Sequence, residues 1–133
     1  MILKNYEIDK INLNNSNILL FYGENQGAKQ EGIKKLTSKN KNNSIFTYDE
    51  KQVIEKINEF YESILSNSLF ENEKIIIINR ATDKIFKVVE ELIDRNITNI
   101  KIIINSENLD KKSKLRSIFE KNKNLICVAF YPD

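Results

Sequence analysis

Two isoleucine-rich stretches constrain this chain more than anything else in it. Ile75 to Ile78 is four isoleucines in a row, and Ile100 is followed closely by Ile102, Ile103 and Ile104. Neither stretch alternates with polar residues. β-Branched side chains favour strands, and a strand that is apolar on both faces needs cover on both, as in a parallel sheet with helices on either side. Three more short apolar runs are bounded by polar turn residues, so the predicted strands are Ile18–Tyr22, Ser44–Tyr48, Lys74–Asn79, Ile100–Asn105 and Leu125–Tyr131.

The intervals carry helical spacing. Val53, Ile54, Ile57, Phe60, Tyr61, Ile64 and Leu65 recur on one face after Asp49 and Glu50, acids that suit a helix N-terminus. Ile85, Phe86, Val89, Leu92 and Ile93 form a second stripe, with Thr82 or Asp83 as its cap. Lys111–Asn122 is a third helix, with Leu115, Ile118 and Phe119 inward. The helix over about Ala28–Ser38 is the least marked, because Gly32 inside it costs ~1 kcal/mol against alanine. Alternating strands and helices imply an α/β domain of three layers, α/β/α, with a mainly parallel five-stranded sheet. The opening residues, Met1–Asn15, carry no clear pattern.

The 133 residues are 41% hydrophobic and 30% charged, which suits one domain over residues 1–133 with a single core. A net charge of +2 gives no strong field for nucleic acid or anionic lipid, so any such contact would be local. No apolar run is long enough to span a bilayer and the start lacks a secretory layout, so a cytoplasmic protein with no membrane contact is expected. Zero histidines and one cysteine exclude disulfides, zinc sites of the usual kinds and imidazole-based catalysis. The cysteine, Cys127, lies between Ile126 and Val128 and reads as a small buried hydrophobe.

After the first strand comes Gly23-Glu24-Asn25-Gln26-Gly27-Ala28-Lys29-Gln30, where a phosphate-binding loop would sit. Such a loop needs glycine directly before the lysine, for close backbone approach, and Ser or Thr directly after it, to ligate magnesium. Here those positions hold Ala28 and Gln30, and the strand Ile75–Ile78 runs into Asn79 and Arg80 where a metal-holding carboxylate is required. Gly23, Gly27, Ala28, Lys29 and Gln30 are therefore read as a degenerate loop, with no cofactor, no metal and no catalytic residue expected. A phospho-receiver site is missing too, since Glu24, Asn79 and Tyr131-Pro132 stand where its acids and lysine belong; a flavin site would need hydroxyls that Gly23–Gly27 lacks.

Asn67-Ser68-Leu69-Phe70-Glu71-Asn72-Glu73 places a Leu-Phe pair in a polar surround. Such a pair either folds onto the domain's own edge or fills a partner's pocket. Three blocks together resemble one family, the N-terminal domain of the delta subunit of the bacterial DNA polymerase III clamp loader. They are Ile18-Leu19-Leu20-Phe21-Tyr22-Gly23-Glu24-Asn25, Ser68-Leu69-Phe70-Glu71-Asn72-Glu73-Lys74, and Leu109-Asp110-Lys111-Lys112-Ser113-Lys114-Leu115, with Phe130-Tyr131-Pro132-Asp133 closing the domain.

The resemblance implies an AAA+-like core that has lost its nucleotide site. It implies binding to the ring-shaped sliding clamp through Ser68, Leu69 and Phe70, the Leu-Phe pair entering a hydrophobic pocket and loosening one ring interface. It also implies assembly with other clamp-loader subunits in a longer protein, through a lid and a collar domain absent from this sequence, and access to DNA through the assembled loader. Lys111, Lys112, Lys114 and Arg116 could touch DNA phosphate, although a solvated helix face is the ordinary reading of such a cluster. The other function classes open to the residues are a nucleotide-binding P-loop enzyme and a nucleic-acid-binding module built on the lysines.

Overall fold

The structure, a computed structural model, describes residues 2–11, 17–39, 44–67, 74–95 and 100–131. Its strands are β1 (Ile2–Lys4), β2 (Ile18–Tyr22), β3 (Ser44–Asp49), β4 (Lys74–Ala81), β5 (Ile100–Ser106) and β6 (Ile126–Ala129). Its α-helices are α1 (Gln26–Lys39), α2 (Glu50–Glu55), α3 (Ile57–Asn67), α4 (Phe86–Arg95) and α5 (Lys114–Lys121). The strands form one sheet in the order β1-β6-β2-β5-β4-β3, and every pairing is parallel.

The three-layer parallel α/β architecture is as expected, and the sheet gains a sixth strand. The expected count of five missed β1, a three-residue edge strand paired through Ile2, Leu3 and Lys4 to Cys127, Val128 and Ala129. Three residues are too few to show any periodicity, so only the pairing partner reveals the strand.

Both isoleucine strands are buried as the patterning requires. Ile75 to Ile78 and Ile102 to Ile104 all lie in the core. Their alternate side chains divide between two apolar clusters, one on each face of the sheet. Ile76, Ile78, Ile102 and Ile104 pack with Val53, Phe60, Ile64, Val89, Leu92, Leu115 and Phe119 of α2 to α5. Ile75, Ile77 and Ile103 pack with Ile33 and Leu36 of α1, and with Ile8 and Ile11 of the N-terminal 3-10 segment and its exit.

Two helix expectations change in detail. The stripe from Val53 to Ile64 belongs to two helices, because Lys56 (φ −125°, ψ 49°) leaves the helical region between α2 and α3, and Ile54 turns outward. Of the two candidate caps before α4, Thr82 accepts from the Lys84 amide and caps a short 3-10 turn, Asp83–Ile85. Asp83 instead reaches across to α5, where it accepts from Ser113 Oγ at 2.6 Å and from the amides of Leu115 and Lys114 at 3.2 and 3.3 Å. That helix starts at Lys114 with Ser113 as its N-cap, three residues later than the spacing implied.

Gly32 explains why α1 tolerates a glycine in its interior. A Cβ there would lie 2.8 Å from Ile8 Cδ1, 3.2 Å from Phe21 Cε2 and 3.4 Å from Phe130 Cζ. The missing side chain lets the N-terminal segment and the Phe21–Phe130 ring pair, 5.1 Å between centroids, press directly onto the helix.

Candidate functional site

The degenerate loop leaves the carboxyl end of β2 and enters α1, beside the carboxyl ends of β4 and β5. Open α/β sheets place ligand crevices at such strand ends. Here the crevice is a polar cleft of about 250 Å³ lined by Gln26, Lys29, Gln30, Asp49, Asn79, Arg80, Asn105, Ser106 and Glu107.

The loop is held from both sides. The Gly23 amide donates to the Glu107 carbonyl at 3.1 Å, the Asn25 amide to the Phe130 carbonyl at 3.1 Å, and the Phe130 amide to the Tyr22 carbonyl at 2.8 Å. Gly23 has φ +121°, a conformation that disfavours any side chain. Asn25 Oδ1 accepts from the Ala28 amide at 3.1 Å, so a side chain occupies the first turn of α1 where an anion would otherwise approach.

Lys29 decides the chemistry of the cleft. Its side chain is 1% exposed, and Nζ donates to the Ser106 carbonyl at 2.7 Å. Burial lowers its pKa from the ordinary value, an effect that Glu107 partly opposes. The one cation of the loop is thus committed to the protein's own backbone. Arg80, in the left-handed region at φ 56°, forms an ion pair with Asp49. Asn79 Oδ1 accepts from Asn105 Nδ2 at 3.0 Å, so an amide pair occupies the place of a metal-holding carboxylate. Among the described residues no group of His, Cys, Asp and Glu is placed to hold a metal ion.

Ser68, Leu69 and Phe70 lie outside the described residues, between the end of α3 at Asn67 and the start of β4 at Lys74. Lys111, Lys112 and Lys114 are exposed around the start of α5. Arg116 does not join them. It donates from Nε to Glu120 at 3.2 Å and from Nη1 to the Leu109 carbonyl at 2.9 Å, and its guanidinium lies 5.1 Å from the centre of the Tyr22 ring. Tyr22 in turn meets the Tyr131 ring edge to face at 6.4 Å between centroids. Helical spacing on α5 gives no hint of the contact between Arg116 and Tyr22, because it reaches from a helix to a strand far away in sequence. Burial raises the pKa of Tyr22, and it pushes that of Cys127 up to about 11, which leaves the thiol inert.

No curated protein matches the chain. Among solved structures, that of C. elegans PCH-2 superposes with a TM-score of 0.54 at 16% identity, over 92% of this chain and 38% of that one, a likeness that carries the fold alone. The α/β fold with a parallel sheet expected from the sequence is the fold observed. The family model described as "DNA polymerase III, delta subunit" matches residues 19–129, which takes in β2 through β6. With that match covering most of its length, the chain belongs to the DNA polymerase III delta-subunit family.

Proposed function

We propose that this domain serves DNA replication as the N-terminal domain of a clamp-loader delta subunit, in the cytoplasm, binding the sliding clamp and helping to open the ring through Leu69 and Phe70, with Ser68 at the edge of the contact. It hydrolyses no ATP of its own. The observation that carries this reading is the family match over residues 19–129, a span that includes the Ser-Leu-Phe segment. The cleft supports the second clause: Lys29 is bound to the Ser106 carbonyl, and Ala28, Gln30 and Asn79 replace the groups that would handle phosphate and metal. Other loader subunits would join through parts of a longer protein. DNA contact would fall to Lys111, Lys112 and Lys114, whose ammonium groups face solvent, with Arg116 excluded by its inward partners.

Clamp affinity and thermal stability of the Leu69→Ala, Phe70→Ala double variant, measured side by side, test the reading. Burying a large apolar side chain is worth ~1.5–3 kcal/mol, so losing both should weaken clamp binding by ~3–6 kcal/mol, on the order of a hundred- to ten-thousand-fold. Melting should hardly change. A large fall in melting temperature with clamp binding intact would assign the pair to the domain's own core and overturn the proposal.

A further inference from the structure

We draw no further inference here: the strongest candidate, the polar cleft at the carboxyl ends of β2, β4 and β5, where Asn105 Oδ1 and Ser106 Oγ are buried without a hydrogen-bond partner among the described residues, belongs to the site already described, and its two unpartnered atoms sit on adjacent residues of one pleated strand, which face opposite sides of the sheet and do not converge on one ligand.

Discussion

Gly23 and Lys29 carry most of the functional meaning of the loop, and each does so through a backbone carbonyl. A Cβ on Gly23 would lie 2.2 Å from the Phe130 oxygen, in addition to the strain of φ +121°. Gly23→Ala should therefore cost at least about 3 kcal/mol, because the neighbour that must yield is backbone and not a mobile side-chain tip. Equilibrium denaturation measures this, and a loss below about 1 kcal/mol would mean that the loop relaxes freely. The residues Ala28, Gln30 and Asn79 were readable from the sequence as departures from a phosphate site, since motif chemistry depends on identity and spacing alone. The fate of Lys29 was not, because its acceptor is a carbonyl contributed from β5.

At the scale of elements, α5 depends on a carboxylate from outside itself. Asp83 satisfies Ser113 Oγ and two amides of the first turn, and its pKa is lowered, chiefly by the Ser113 hydrogen bond. Asp83→Ala should cost about 0.5–2 kcal/mol, the usual worth of a helix cap. Because the folded carboxyl is the stronger acid, its contribution is full above the ordinary pKa of 3.8 and is lost as pH falls through the lower folded value. Melting temperatures of parent and variant should therefore differ at pH 7 and converge in strong acid. A difference that persists unchanged after protonation would assign the effect to packing. From the sequence, Asp83 was one of two candidate caps for its own helix; its service to α5 needs contact between residues thirty positions apart.

For the whole molecule, the absence of nucleotide chemistry is the sharpest expectation. Calorimetry with ATP and magnesium should give no binding, in the parent and in Lys29→Ala alike, because the lysine already has an internal acceptor and, among the described residues, no group is placed to hold a metal ion. A magnesium-dependent dissociation constant in the micromolar range would contradict this and revive an enzyme reading. The chain spans 38% of the length of PCH-2, so its fold is one module of a kind that also occurs within longer chains.

What the sequence determined by itself was whatever depends on local order. Isoleucine runs without alternation demanded a parallel sheet covered on both faces, alternating periods of two and 3.6 placed the layers, and Ala28 and Gln30 beside Lys29 depart from the phosphate-loop pattern. Tertiary structure decided what depends on closure in space. It added β1, which exists only because β6 is there to pair with it, and it turned Lys29 and Arg116 inward to partners from other elements. It also left β3 at the edge of the sheet opposite β1. Strand order and inter-element hydrogen bonds join residues that are neighbours only after the chain has folded, so no window of local sequence contains them.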